Sequence, residues 1–286
     1  MQRVQMDQIK HLVVVGSGKG GVGKSTVSVN LAVALARQGA VVGLLDADTY
    51  GPSVPLMLGI RKRGQSQGWR GTLPLGFRQK LTPEQMLQPV VRYGIKVMSV
   101  GFFVGEEQAI APMPDVQGML VHQLLATVNW GALDYLIIDL PPGNGEPQAT
   151  LVRELTLAGA ILVTTSQDIA RIDTARALSM FRTAGIHLLG LVKNMSGFSC
   201  PHCGELIEIF PASQEVRSAL DDLPVLCVVP LHPPMAVGAD LGQPIVVSQP
   251  DSPDSQAFYS LARNISSLLD RSSEARDQDH PEDGGQ

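Results

Sequence analysis

The sequence predicts an α/β fold: one mostly parallel sheet with helices on both faces. Three observations carry this. Short β-branched apolar runs alternate with stretches of helical spacing along most of the chain. A glycine-rich stretch sits between the first such run and the first helix. Two of the apolar runs end in aspartate, at the strand ends where open α/β sheets bind ligands.

The elements follow in order. Residues 11–16 form a β-branched run that ends in glycine, as a buried parallel strand does. Residues 25–37 place Val29, Val33 and Ala36, with Leu31, Ala34 and Leu35, at helical spacing, and Gly39 stops the helix. Residues 41–45 are the next strand and lead into Asp46-Ala47-Asp48, which completes a βαβ unit. Then come a strand at 95–100, a helix at 116–128 and a strand at 135–139 that runs into Leu140-Pro141-Pro142-Gly143. A helix at 148–157, a strand at 160–164, a helix at 169–184 closed by Gly185 and a strand at 188–192 continue the alternation. The last clear strand is 225–229. A helix at 256–270 gathers Phe258, Leu261, Ile265, Leu268 and Leu269 on one face and lacks the lysine-rich polar face of a membrane-surface helix.

A length of 286 residues suggests about two domains, but the unbroken alternation merges them into one, residues 11–270. Residues 1–10 are an N-terminal arm. Residues 271–286 form an acidic, proline-containing tail predicted to be disordered. Residues 61–80 carry Arg61, Lys62, Arg63, Arg70, Arg78 and Lys80 with no acid among them, which suits a solvated loop or a docking surface. Apolar residues make up 44%, enough for a large core, and 3 cysteines exclude a disulfide scaffold. A net charge of -5 argues against gripping nucleic acid by bulk charge. No signal-peptide h-region and no long apolar run appears, so the expectation is a cytoplasmic protein without membrane or nucleic-acid partners.

Gly18-Lys19-Gly20-Gly21-Val22-Gly23-Lys24-Ser25-Thr26 fits G-x-x-x-x-G-K-[ST], placed after a strand and opening a helix. Glycines let backbone N–H groups curl round a phosphate, and the helix N-terminus adds partial positive charge. Lys24 is expected to reach the β/γ-phosphates and Ser25 to hold Mg²⁺. The domain is therefore expected to be a P-loop NTPase that binds ATP. Lys19 is a second lysine, which the loop does not need for its own nucleotide. It is either an incidental charge or a cation acting across a dimer, as an arginine finger does.

Asp46 and Asp48 end the second strand facing the ligand crevice, where an aspartate orients water or supports Mg²⁺. Asp139 ends an apolar strand in a Walker B arrangement, near the Mg²⁺ shell, and Pro141-Pro142-Gly143 after it is suited to sense a γ-phosphate. Cys200 and Cys203 have C-x-x-C spacing, which is half of a four-ligand metal site. Spacing alone leaves three readings: a cluster shared across a two-fold axis, a zinc site completed by His202 and another group, or a redox dithiol. Cys227 lies inside an apolar strand and is expected to be core.

These motifs resemble the deviant Walker A family of MinD, ParA, the nitrogenase iron protein and the Mrp/ApbC iron–sulfur carriers. The resemblance implies that Lys19 is the signature lysine acting in trans in an ATP-bound dimer, and that Asp48 positions the water. Asp46-Ala47-Asp48-Thr49-Tyr50-Gly51-Pro52-Ser53 is similar to the Mrp/ApbC switch I, and Asp139-Leu140-Pro141-Pro142-Gly143 to its switch II. Lys193-Asn194-Met195-Ser196 followed by Cys200-Pro201-His202-Cys203-Gly204 resembles the Mrp/ApbC segment whose two cysteines bridge a [4Fe–4S] cluster between subunits. By the same resemblance Asn194 contacts the adenine base. The implied activity is an ATP-hydrolysing, slowly turning-over iron–sulfur cluster carrier. It would be a homodimer that works with cluster assembly machinery and delivers to apo iron–sulfur proteins. A MinD/ParA-like positioning ATPase and a zinc-stabilised ATPase scaffold are the alternatives. Three segments depart from the family pattern: Ala111-Pro112-Met113-Pro114, Phe210-Pro211-Ala212-Ser213, and His232 in place of an aspartate.

Overall fold

The strand that feeds the glycine-rich loop, β1 (Ile9–Ser17), is buried from His11 to Ser17 without alternation, as a parallel strand covered on both faces must be. The computed structural model describes residues 6–60, 86–103, 114–143, 145, 148–149, 152, 155–200, 202–203, 205–209 and 219–279. On one side β1 pairs in parallel with β5 (Leu133–Asp139), and on the other with β6 (Gly159–Thr164). β2 (Val42–Asp46) joins β5 in parallel, which sets Asp46 beside Asp139. β4 (Ile95–Ser99) joins β2 and sets Ser99 beside Asp46. β7 (Leu188–Lys193) extends the sheet from β6, and β10 (Val225–Val228) extends it from β7. β3 (Val90–Arg92) closes the other edge as an antiparallel partner of β4. The sheet order is β10-β7-β6-β1-β5-β2-β4-β3, with β1 inside it.

Helix α1 (Lys24–Arg37) is buried from Val27 to Leu35 on every side. Such a helix must lie inside the structure, and it packs against the sheet and against α7 (Pro253–Asp279). α4 (Asp168–Thr183) packs on β6 and β1, and its Phe181 is fully buried under β1. A Cβ built on Gly16 would lie 3.1 Å from the Phe181 ring, so the strand and ring have closed on the space a side chain would need. The short helices α2 (Val54–Met57), α5 (Pro233–Asp240) and α6 (Ile245–Ser248) and the longer α3 (Pro114–Thr127) complete the helical layers.

The α/β fold and mostly parallel sheet agree with the sequence expectation. Several details differ. The last helix starts at Pro253 and runs to Asp279, so it passes residue 270, where the sequence places the start of a disordered tail. Nothing between Arg271 and Asp279 breaks a helix, since the first proline is Pro281. In the 148–157 stretch, Gln148, Ala149 and Val152 are helical and Leu155 is not. The β8 (Phe198–Ser199) and β9 (Leu206–Ile207) hairpin and edge strand β3 are too short to leave a periodic signal. The basic stretch at 61–80 and the departures at 111–113 and 210–213 lie outside the described residues.

Replacing Phe181 by alanine removes the largest buried group behind β1. Urea denaturation of Phe181→Ala is expected to show a loss of about 3–5 kcal/mol with an unchanged m-value.

Candidate functional site

The seven parallel strands all end at the same edge of the sheet, so the loops that follow them converge there. The loop after β1 is the glycine-rich one. Gly23, at its end, has φ 84, a left-handed conformation that favours glycine. A Cβ on Gly23 would also fall 2.1 Å from the Asn194 side-chain nitrogen. Gly18 is needed for a different reason. A Cβ there would lie 2.1 Å from the Asp173 backbone, so α4 has docked directly on the loop.

The loop and its neighbours line a cavity of about 240 Å³. Its walls are Ser17, Lys19, Gly20, Gly21, Gly23, Lys24, Ser25 and Thr26, with Asp48, Gly51 and Ser53 from the loop after β2 and Met57 and Pro142 closing it. Among the residues predicted for the site, Gly18, Val22, Asp46, Asp139 and Asn194 do not line this space. They sit directly behind it.

Behind the loop lies a buried charge cluster. Lys24 Nζ is 2.9 Å from Asp139 Oδ2 and 3.6 Å from Asp48 Oδ2. Ser25 Oγ donates to Asp139 Oδ2 at 2.5 Å, and Ser28 Oγ donates to Asp139 Oδ1 at 2.7 Å. Asp46 is fully buried beside Asp139. It accepts from Ser99 Oγ at 2.9 Å, from the Asp48 backbone N–H at 3.1 Å and from the Val54 N–H at 3.3 Å. Asp48 Oδ1 in turn accepts from the N–H groups of Tyr50 and Gly51 at 3.1 and 3.3 Å, which folds the switch segment round the carboxylate.

Three carboxylates thus share one lysine. Burial alone pulls the Lys24 ammonium down, but Asp139 and Asp48 outweigh it and hold the group above the usual lysine range. Burial first, and Asp139 second, push Asp46 up to about 8. Burial also raises Asp48, with Lys24 opposing and Asp139 adding to the rise. A site with this surplus of buried negative charge is suited to a divalent cation, and the oxygen donors present, Ser25 and the carboxylates, suit Mg²⁺. The loop beside it, with bare backbone N–H groups and Lys24, suits a phosphate.

Lys19 is half-buried on the cavity wall, with Nζ 3.4 Å from Gln167 Oε1, while Lys24 serves the buried cluster. The two lysines therefore point to different partners. Asn194 is buried, and its side-chain N–H donates to the Val22 carbonyl at 2.8 Å, so it braces the back of the loop. Sequence reasoning missed Ser28 and Ser99. Ser28 stands one helical turn after Lys24 on the same face, and Ser99 ends the strand next to Asp46, so spacing and the strand-end rule pointed to both.

The cysteine pair lies in the turn between β8 and β9. The Cys200 N–H donates to the Glu205 carbonyl at 2.8 Å, which closes the turn. The backbone N–H groups of Cys203 and then His202 point at the Cys200 sulfur and lower its pKa, which favours the thiolate a metal needs. Cys203 and His202 are exposed. Among the described residues no further His, Cys, Asp or Glu side chain joins the pair to enclose a metal ion, so the pair alone is an incomplete site. Cys227 is buried, its thiol is pushed up to about 11 by that burial, and it faces the Ala257 carbonyl at 3.5 Å, as a core residue should.

A family model, that of the NUBPL iron-transfer P-loop NTPase (ParA), matches residues 8–266. The chain belongs to that family. An iron-sulfur cluster carrier protein of Synechocystis sp. is 41% identical over 265 residues, which is 92% of this chain and 72% of that protein. The iron-sulfur cluster transfer protein NUBPL of Mus musculus is 40% identical over 272 residues, 94% of this chain and 81% of that one. Among solved structures, the nucleotide-binding protein of Archaeoglobus fulgidus in complex with ADP superposes with a TM-score of 0.68 at 32% identity, covering 88% of this chain and 93% of that one. The cell division ATPase MinD of Pyrococcus furiosus superposes with a TM-score of 0.67 at 26% identity, covering 91% and 99%. The P-loop NTPase fold and the resemblance to iron–sulfur carriers read from the sequence are both upheld. No helix among the described residues is long and apolar enough to cross a membrane.

The raised Asp46 gives the NUBPL-type site a pH signature. Between 3.8 and about 8 the folded protein keeps a proton that the unfolded chain releases. This group's stabilisation is therefore complete at acid pH and is lost as pH rises through about 8. Without nucleotide or Mg²⁺, Asp46→Asn is expected to lose less Tm than the unsubstituted protein between about pH 6 and about pH 9. A parallel fall in the two proteins by thermal denaturation would assign the titration to another group.

Proposed function

We propose that this protein is an ATP-hydrolysing carrier of iron–sulfur clusters that works as a homodimer. The cluster is cargo, held by Cys200 and Cys203 of two subunits and passed to apo iron–sulfur proteins after loading by an assembly machinery. The observation that carries the reading is the pairing, in one chain, of a formed phosphate loop with a C-x-x-C turn in which Cys200 is half-buried and Cys203 exposed, and whose N–H groups favour a thiolate at Cys200. Two cysteines are half of a four-thiolate site, and a two-fold axis supplies the other half. The carrier and transfer proteins to which the chain is similar over more than nine-tenths of its length support the same reading.

In the nucleotide site, Gly18 to Thr26 form the phosphate cradle, and Lys24 exchanges its carboxylate partners for the β/γ-phosphates. Ser25 and Asp139 hold Mg²⁺, with Asp46 fixing the strand-end geometry from behind. The bound cation supplies neutralisation of phosphate charge. Asp48 lines the cavity and orients the attacking water. Lys19 lies on the wall of the cavity and reaches the nucleotide of the partner subunit. Asn194 supports the loop near the base. With few parts devoted to chemistry beyond positioning, turnover is slow and serves as a switch for cluster transfer.

Anaerobic reconstitution with iron and sulfide tests the proposal. The expected product is a brown species near one cluster per dimer, lost in Cys200→Ala. Tight zinc binding without a cluster would make the protein a scaffold instead, and ATP-dependent sedimentation with liposomes or DNA would make it a positioning ATPase. Removing the loop's charge in Lys24→Ala is expected to lower kcat for ATP hydrolysis by about a hundredfold or more. It should also stop cluster delivery to an apo-protein, and unchanged delivery would separate hydrolysis from transfer.

A further inference from the structure

The segment that joins the phosphate loop to the cysteine turn is only six residues long, and it is held at almost every residue. Asn194 begins it. Its side chain grips the Val22 carbonyl, its amide nitrogen abuts Gly23, and its backbone N–H donates to Thr164 O at 2.8 Å. Further on, the Ser196 N–H donates to Val229 O at 3.0 Å, Gly197 O accepts from the Leu231 N–H at 2.7 Å, and the Cys200 N–H closes the turn onto Glu205 O. Between these fixed points stands Met195, in the left-handed region at φ 53, which a side chain with a Cβ disfavours. Its Cε reaches to 3.7 Å from the place a Gly23 Cβ would take.

From this geometry we infer that the 194–197 segment is a relay that carries the nucleotide state of the phosphate loop to the Cys200–Cys203 turn, with Met195 as its positioning residue. The inference rests on the proposed use of the two cysteines as metal ligands. The physical argument is stiffness. Val22 and Gly23 belong to the backbone that wraps a phosphate, so a shift there on binding moves the Asn194 side chain with it. A freely jointed linker would absorb that shift within a few residues. This linker resists it, because backbone hydrogen bonds fix both its ends and Met195 stands between them in the left-handed region. Coupling passes through a contiguous packed path only if the path has few alternatives, and here the fixed points leave few. A non-glycine residue in the left-handed region persists where its surroundings impose it, and Met195 is flanked by the anchored Asn194 and Ser196 and packs toward Gly23.

Backbone amide exchange in the full-length protein, free of cluster, measures the relay. Adding a non-hydrolysable ATP analogue with Mg²⁺ is expected to change the exchange of residues 198–207 by about fivefold or more. In Met195→Gly, which releases the backbone and leaves every cavity-lining residue unsubstituted, fluorescent ADP should bind as before while the hairpin response disappears. Met195→Asn favours the same left-handed backbone and should keep the response. A hairpin that ignores nucleotide in the unsubstituted protein overturns the relay, as does a full response in Met195→Gly or none in Met195→Asn. Failure here with a cluster formed on reconstitution would leave the carrier reading standing. A working relay with no cluster formed would remove the carrier reading and leave the coupling.

Discussion

The buried cluster of Lys24 with Asp46, Asp48 and Asp139 is the constraint on which the rest of the site depends. Charges taken out of water cost several kcal/mol each unless they are paired and hydrogen-bonded. Here every member is held by protein donors or by another member. Ser25 and Ser28 serve Asp139, Ser99 and two backbone N–H groups serve Asp46, and the Tyr50 and Gly51 N–H groups serve Asp48. The arrangement is still unbalanced, with three acids to one base. Burial first, with Asp139 beside it adding to the rise, makes Asp46 hold its proton to about 8, and the excess of acids suits the site to accept a cation. It also makes Lys24 a shared resource. While it neutralises Asp139 and Asp48 it is committed to the protein, and a phosphate must win it from them.

The topology of the sheet brings that cluster together. In a parallel sheet every strand delivers its following loop to the same edge. The loop after β1 is the phosphate cradle, the one after β2 carries Asp48, the one after β5 carries Pro142, the one after β6 carries Gln167, and the one after β7 carries Asn194 and the cysteine turn. Residues as distant as Lys19 and Gln167, or Val22 and Asn194, become neighbours for that reason alone. The sheet register then sets fine spacing, with Asp46 opposite Asp139 and Ser99 opposite Asp46.

The parts of this design that were legible in the sequence are those that depend on local pattern. The P-loop, both lysines and the strand-end aspartates follow from residue type and spacing, because backbone chemistry allows few ways to wrap a phosphate. The strands of the parallel sheet were legible because burial on both faces leaves unbroken apolar runs. What the sequence did not show depends on tertiary partners. Asn194 is an example. Its position in a motif suggests a base contact, and nothing local in the sequence shows that its side-chain N–H also donates to the Val22 carbonyl, 172 positions away. Edge strand β3 and the β8–β9 hairpin are two or three residues each and gain their pairing from neighbours rather than from propensity. The helix past residue 270 was missed for the opposite reason. A polar, charged stretch reads as disordered by composition, yet α7 already has its register fixed by Phe258, Leu261 and Ile265 in the core and propagates from there.

The departure at His232 shows how such a fold absorbs a change at its functional edge. The imidazole Nδ1 lies 2.6 Å from Asp254 Oδ2, and Asp254 is almost fully buried in the first turn of α7. An aspartate at position 232 would set two carboxylates against each other at that distance, so the two positions constrain one another. The acid placed at a helix N-terminus also gains from the helix dipole. The loop after β10 is thereby tied to α7, which packs on α1, the helix that opens at Lys24. A substitution that looks like a loss in a motif is, in the folded chain, one half of a contact that ties the loop after β10 to the last helix.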